Sequence, residues 1–221
     1  MNYLILVRHG QSRWNLENRF AGWVDVPLSE KGIKEATDCA EELKSVELDV
    51  AFTSKLTRAQ ETLLLILAKQ KKTGIFLHDN RKRDEWSYHP GRFDESEMPI
   101  HSSEALNERF YGKLQGKNKQ EAKKTYGEEQ VFLWRRSYEV RPPGGESLRD
   151  TYERVVPYFK DRILPQLEER RNTIVVAHGN SLRSMVKYIE NISDEDIPKL
   201  EIATGKPLYY RFVKGKFISE Q

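Results

Sequence analysis

Two histidines stand where short apolar runs end. His9 lies in Val7-Arg8-His9-Gly10 after Tyr3-Leu4-Ile5-Leu6-Val7, and His178 lies in Ala177-His178-Gly179-Asn180 after Thr173-Ile174-Val175-Val176-Ala177. Runs of this kind read as buried strands. In an open α/β sheet, ligands bind in the crevice beyond the carboxyl ends of the strands, so both imidazoles can face one pocket although they are remote in the chain. A neutral imidazole, with a reference pKa of about 6.5, is an available nucleophile at neutral pH. The chemistry this suggests is phosphoryl transfer to an imidazole nitrogen, which needs cations around three equatorial oxygens. Arg8 sits beside the first histidine. Arg58 follows Phe52-Thr53-Ser54 near the start of a predicted helix, where a planar fork can hold phosphate. His178 heads the helix that follows it, and helix N-terminal N–H groups favour an anion.

A general acid must protonate the leaving alkoxide. Glu108, in Leu106-Asn107-Glu108-Arg109-Phe110-Tyr111-Gly112, is the candidate, and Arg135 and Arg136 in Trp134-Arg135-Arg136-Ser137 could clamp a second acidic group. Each of these has a plainer reading when taken alone: a histidine that only ends a strand, a surface Glu-Arg pair, a solvated face of tandem arginines. Spacing leaves both readings open.

Positioning such residues takes strands that alternate with helices. Strands are predicted at roughly 3–7, 48–53, 74–78, 173–177 and 207–213. Ser29 opens a helical pattern with Ile33, Ala36, Ala40 and Leu43 on one face, and a leucine-rich helix runs from Thr57 to Lys69. Ser147 opens a long helix whose Leu148, Tyr152, Val155, Val156, Phe159, Ile163, Leu164 and Leu167 share a face. Ser147 with Asp150 resembles a capping box, and Pro157 should kink the helix. A further helix spans Asn180 to Glu190. This alternation predicts an α/β fold: a three-layer α/β/α sandwich around a mostly parallel central sheet. The stretch 79–103 has no sustained period and mixes charges with Trp86, Tyr88, His89, Pro90, Gly91, Phe93 and Pro99, so it reads as a long inserted loop.

The 221 residues suit a single domain over 1–221. Charged residues make up 32% of the chain, yet the net charge is only +3 and the two signs alternate, so no stripe or tail marks a nucleic-acid binder. The lone cysteine, Cys39, can form no internal disulfide and suits a reducing, cytoplasmic setting. The N-terminal apolar run is too short for a signal peptide, and nothing longer predicts a membrane span. No histidine spacing or thiolate cluster marks a metal, and no P-loop is present.

Beyond these single features, the chain resembles the cofactor-dependent phosphoglycerate mutases of the histidine phosphatase superfamily over nearly its whole length. The likeness is carried by Leu6-Val7-Arg8-His9-Gly10-Gln11-Ser12-Arg13-Trp14-Asn15, by Gly22-Trp23-Val24-Asp25-Val26-Pro27-Leu28-Ser29-Glu30-Lys31-Gly32, and by Thr53-Ser54 with Arg58-Ala59. It continues through Leu106 to Gly112, Leu114-Gln115-Gly116, Trp134-Arg135-Arg136-Ser137, Pro143-Gly144-Gly145-Glu146-Ser147-Leu148 and Ala177-His178-Gly179-Asn180-Ser181-Leu182-Arg183. The bare Arg-His-Gly is shared with many phosphatases, whereas the segments around Glu108 and Arg135-Arg136 are far more specific to mutases.

The resemblance implies interconversion of 3-phosphoglycerate and 2-phosphoglycerate in glycolysis and gluconeogenesis, with 2,3-bisphosphoglycerate as primer and intermediate and no metal. His9 would become phosphohistidine; Arg8, Arg58, Asn15 and His178 would hold the transferring group; Glu108 would donate and accept the proton. Arg109, Tyr111, Lys119, Arg135, Arg136 and Asn180 would bind the rest of the substrate, while Gln11, Ser12 and Gly179 would line the site. Small phosphoglycerates would be the partners, with a homodimer left open, since the family includes monomers, dimers and tetramers. Ala21 stands where the family usually has Thr or Ser, so only backbone N–H groups of Ala21 and Gly22 would donate there. The C-terminal tail is short, and the 79–103 loop is expected to supply part of the missing cover. Two rivals stay in view: a phosphatase of the same superfamily acting on small phosphate esters, and a catalytically idle interaction protein, for which the charged, aromatic loop is the only support.

Overall fold

The computed structural model describes residues 2–77 and 93–220. Its strands are β1 (Asn2–Arg8), β2 (Val50–Thr53), β3 (Thr73–Leu77), β4 (Glu97–Ser102), β5 (Thr173–Ala177), β6 (Pro207–Val213) and β7 (Lys216–Ser219). They form one sheet in the order β3-β4-β2-β5-β1-β6-β7. The first five in that order are parallel, and β6 and β7 close the edge antiparallel. The fold is thus α/β with a mostly parallel sheet, as the alternation of patterns predicts.

Alternation along each strand divides the core in two. Leu4, Leu6, Val50, Phe52, Val175 and Ala177 pack on Val155, Phe159, Leu182 and Met185. Ile5, Val7, Ala51, Ile174 and Val176 pack on Ala40, Leu43, Leu63 and Ile66 from the opposite face. Covered on both sides, the central strands need apolar residues at every position, which is why they read as unbroken apolar runs. The helices covering them are α2 (Glu30–Leu43) and α3 (Thr57–Leu67) on one face, and α6 (Leu148–Tyr158) and α8 (Gly179–Glu190) on the other. A short α1 (Arg13–Leu16) follows β1. A third, smaller cluster of Phe20, Leu114, Ala122, Val131 and Trp134 supports α4 (Lys119–Tyr126) and α5 (Glu128–Arg136), which stand beyond the sheet.

Several elements differ from the sequence-based expectation. The second half of the 79–103 segment is not loop: Glu97–Ser102 is β4, paired with both β3 and β2. Only Met98, Ile100 and Ser102 of that strand are buried, and Pro99 interrupts its run, so its apolar signal is weak. Residues 78–92 lie outside the described residues, and with them the core of the expected cover. The tail after β6 turns back as β7. The α4–α5 pair was not expected at all, because its sequence is mostly polar and its apolar face is narrow. Ile33 is 47% exposed, and Gly32 and Cys39 complete the buried stripe of α2 instead.

The long helix from Ser147 continues past Pro157. The reciprocal Ser147–Asp150 cap is formed, and the helix widens into a π-turn at Phe159–Ile163 before α7 (Leu164–Glu168). Pro157 and Pro165 each remove one N–H from the ladder, and the wide turn lies between them, closed by the Leu164 N–H on Phe159 O. Phe159 is fully buried at this turn. Replacing Phe159 with Ala is expected to lower stability by about 3–5 kcal/mol, read as a reduced urea midpoint with an unchanged slope.

Candidate active site

Strand register brings the two histidines together. Arg8 pairs with Ala177, and the ladder runs one step further, where the His9 N–H donates to Ala177 O at 3.0 Å. The two imidazoles, both buried, have ring centroids 4.9 Å apart at 60°. His9 Nδ1 lies 2.6 Å from the Gly10 carbonyl oxygen. A carbonyl only accepts, so Nδ1 carries the proton and Nε2 keeps the lone pair. The loop that holds this ring packs backbone to backbone: a Cβ on Gly10 would lie 2.3 Å from Gly32 O. The Gly10 N–H is held in turn by Thr62 Oγ1 at 3.1 Å.

His178 is the N-cap of α8. Its Nε2 lies 2.7 Å from Ser54 Oγ, at the end of β2, and Ser54 Oγ also accepts the Leu56 N–H. With the serine O–H donating to Nε2, His178 Nδ1–H is left as a buried donor with no partner. Arg8 Nε and Arg183 Nε are buried and unpartnered as well. A buried donor left unpaired costs about 1–3 kcal/mol, and a bound phosphate oxygen is the acceptor that such groups fit.

These side chains border a cavity of about 180 Å³. Among the described residues, Arg8, Arg19, Arg58, Lys119, Arg135, Arg136 and Arg183 line it, against Glu108 and Glu201 of opposite charge. Arg58, in the first turn of α3, is fully buried and donates to Gly22 O at 2.7 Å and Val24 O at 3.0 Å. Arg8 donates to Ile202 O at 2.8 Å. Arg136 is paired with Glu201. Asn15 Oδ1 accepts the Ser12 N–H while Ser12 Oγ accepts the Asn15 N–H, which caps α1 and leaves the Asn15 amide N–H groups for the cavity.

Glu108 is held through one oxygen. Oε1 accepts from the Arg109 N–H at 2.7 Å and from Asn180 Nδ2 at 2.8 Å. Oε2 lies near Gly179 and Arg8: a Cβ on Gly179 would stand 3.7 Å from it and 3.5 Å from Arg8 Nε. One carboxylate oxygen is thus fixed, and the other stands near Gly179.

Burial and neighbouring charge set the protonation states. His9 is pushed well below its usual pKa by burial and then by Arg58 and Arg8. His178 is lowered for the same reasons, by burial first, with Arg58, His9 and Arg8 adding to it. Both rings are therefore neutral at neutral pH. Lys119 is lowered to about 8 by burial, Arg135 and Arg8, and Arg58 to about 10, mainly by burial.

Of the residues singled out in the sequence, the cavity wall gathers Arg8, His9, Asn15, Ala21, Gly22, Arg58, Glu108, Tyr111, Lys119, Arg135, Arg136, Gly179 and Asn180. His178 stands against His9 just behind the wall. Gln11, Ser12 and Arg109 are set back. Gln11 bonds Ser29 Oγ, Ser12 caps α1, and the fully buried Arg109 donates to Tyr111 Oη and Arg135 O while its guanidinium lies 4.9 Å from the Tyr111 ring. Arg19, Phe20, Arg183, Leu200, Glu201 and Ile202 also line the cavity but were not anticipated. Arg183 had a signal, since it lies three residues past Asn180 on one helix face, and its Nη1 does reach Asn180 Oδ1 at 3.3 Å. Residues 200–202 belong to an irregular stretch and gave none.

Comparison with known proteins fits this arrangement. The family profile described as Histidine phosphatase superfamily (branch 1) matches residues 4–89 and 92–219. A protein of Methanosarcina acetivorans is 52% identical over 237 aligned positions, covering 100% of this chain and 95% of its own length. A protein of Chlamydia muridarum is 48% identical, with 98% and 96% covered. Both are named 2,3-bisphosphoglycerate-dependent phosphoglycerate mutase. Among solved structures, "Mycobacterial hydrolase 1" superposes with a TM-score of 0.79 at 19% identity, covering 100% of this chain and 98% of its own. The alpha-ribazole phosphatase from Shigella flexneri gives 0.72 at 21%, with 99% and 94% covered; at such identities the two share the fold. No helix among the described residues is long and apolar enough to cross a membrane. A profile matched along nearly all of the sequence, with two histidines joined across β1 and β5, makes this chain a member of the histidine phosphatase superfamily, branch 1.

Proposed function

We infer that this chain interconverts 3-phosphoglycerate and 2-phosphoglycerate through a phosphohistidine at His9, primed by 2,3-bisphosphoglycerate, as a step of glycolysis and gluconeogenesis in the cytoplasm. The observation that carries the reading is the His9 Nε2 lone pair, fixed by the Nδ1–Gly10 bond beside a cation-lined cavity. It stands in a chain 52% and 48% identical, over nearly its full length, to proteins named as such mutases.

The chain's own groups divide the work. His9 Nε2 attacks phosphorus, so that an N–P bond forms as the ester O–P bond breaks in line with it. Arg8, Arg58 and Asn15 hold the phosphoryl oxygens, and the unpartnered His178 Nδ1–H supplies one more donor. These fixed donors act in a water-poor site, where they are worth far more than in solution. Glu108 gives the departing oxygen its proton and takes a proton from the attacking hydroxyl in the return transfer. Lys119, Arg135, Arg136 and Asn180 hold the remaining acidic group. When bound, 2,3-bisphosphoglycerate supplies the phosphoryl group that charges His9. The arginines provide the charge that a metal supplies in other phosphoryl-transfer sites.

Three outcomes are expected. His9→Ala abolishes both isomerisation and acid-labile incorporation of phosphate from labelled bisphosphoglycerate; surviving turnover would rule out the covalent route. Turnover persists in excess EDTA and rises on adding trace 2,3-bisphosphoglycerate, followed in a coupled assay that also monitors free phosphate. Lys119 has its pKa lowered to about 8 and loses its charge as pH rises through that value. Binding of the anionic substrate then weakens, so kcat/KM falls on an alkaline limb near pH 8. Lys119→Arg, which stays charged, should remove that limb.

A further inference from the structure

We propose that Arg154, together with Glu146, is a positioning residue for proton transfer: it locks the peptide around Glu108 and thereby sets where the Glu108 carboxylate stands. The proposal rests on the reading of Glu108 as proton donor and acceptor. Arg154 lies on α6 and does not line the cavity.

Its guanidinium is saturated by groups that flank Glu108. Nη1 donates to Ala105 O at 2.8 Å and Asn107 O at 3.1 Å, and Nη2 donates to Glu108 O at 3.0 Å. Nε and Nη2 also form a fork on Glu146, at 3.0 and 2.9 Å. Glu146 then closes the far side of the same segment. Its Oε2 accepts the Phe110 N–H at 2.8 Å, and its own N–H donates to Phe110 O at 2.7 Å. Trp23 adds the third contact: its indole N–H reaches Glu108 O at 2.6 Å, and the Arg154 guanidinium lies 5.6 Å from its ring.

Residues 107–111 form no regular ladder of their own, so the Asn107 carbonyl is held by Arg154, the Glu108 carbonyl by Arg154 and Trp23, and the Phe110 carbonyl by the Glu146 N–H. The pair is only about one-fifth exposed, at 20% and 22%, so its bonds are shielded from competing water. Only arginine presents enough planar donors to serve several carbonyls and a carboxylate at once; a lysine offers a single point of charge. A carboxylate displaced by about 1 Å can lose 100-fold in rate. The cations proposed to bind substrate stand on other elements; of these, Arg135 is tied to the clamped segment by its carbonyl, which accepts from Arg109.

The test is a double-mutant cycle on the full-length enzyme, with 3-phosphoglycerate as substrate and 2,3-bisphosphoglycerate present throughout. Arg154→Gln should lower kcat about 10- to 100-fold while KM changes less than about threefold. Glu146→Gln, which leaves the guanidinium in place, should lower kcat in the same sense. In a Glu108→Gln background, Arg154→Gln should lower kcat no more than about twofold further, because the group it positions no longer transfers a proton. The same fold loss in both backgrounds, or a loss confined to KM, would overturn the proposal. An unchanged kcat in Glu108→Gln alone would instead overturn the role of Glu108. Urea midpoints are measured for every variant. Should Arg154→Gln not fold, Arg154→Lys takes its place in the cycle with the same required non-additivity.

Discussion

The parallel pairing of β1 with β5 is the constraint on which the site depends. It is a matter of register: Arg8 opposite Ala177 places His9 beside His178, and the His9 N–H bond to Ala177 O carries the ladder to the first of the two histidines. A slip by one residue would turn every side chain of β1 to the other face. Leu4 and Leu6 would exchange with Ile5 and Val7 between the two core clusters, and His9 would leave the crevice. The apolar packing that stabilises the sheet is therefore the same interaction that aligns the imidazoles. The fit of Gly10 on Gly32 then fixes the loop after β1 against α2, with no room for a side chain between them.

A phosphoryl-transfer site built on histidine has to reconcile two demands. It needs several cations in a dry place, and it needs an imidazole that stays unprotonated beside them. Here one solution meets both. Arg58 and Arg8 are among the causes that hold the His9 pKa down, after burial itself, and both also line the cavity. In the proposed mechanism the nucleophile is kept ready by the groups that would stabilise its product. Phosphorylation of His9, as proposed, would add negative charge that relieves the mutual repulsion of these arginines. The same charge would give the unpartnered donors on Arg8 and His178 an acceptor.

How much of this was legible in the sequence follows from what kind of signal each part leaves. His9 and His178 were visible because an apolar run ending in His-Gly marks both a strand and its functional end. Arg58 was visible as a first-turn arginine that opposes its helix dipole. Glu108 and the tandem arginines were not readable from spacing and rested on resemblance, since a Glu-Arg pair has no periodicity. The 3₁₀ turn Gly112–Leu114 and the turn at Glu104–Leu106 that flank the Glu108 segment leave no period either. The strand β4 reads as loop in the sequence because every second residue is polar or proline, and its burial is conferred by β2 and β3 on either side. The role of Gln11 and Ser12 as supports behind the wall, rather than as part of it, is set by their bonds to Ser29 and Asn15, which no local pattern encodes.

A common device explains why irregular segments can hold a rigid site. Loops lack the ladder that satisfies backbone carbonyls in strands and helices, and a buried carbonyl without a donor is costly. In this chain arginines supply the missing donors. Arg58 holds Gly22 and Val24, Arg8 holds Ile202, Arg109 holds Arg135, Arg183 holds Ile197, and Arg154 holds the carbonyls around Glu108. In Arg8 and Arg183 one end of the guanidinium is tied to the backbone while Nε is left buried and unpartnered near the cavity. The fork thus joins a loop to a ligand through a single planar group, so that binding an anion and ordering the loops around it become one event. A lysine at any of these positions would keep the charge and lose that coupling, because it cannot present two fixed directions of donation at once.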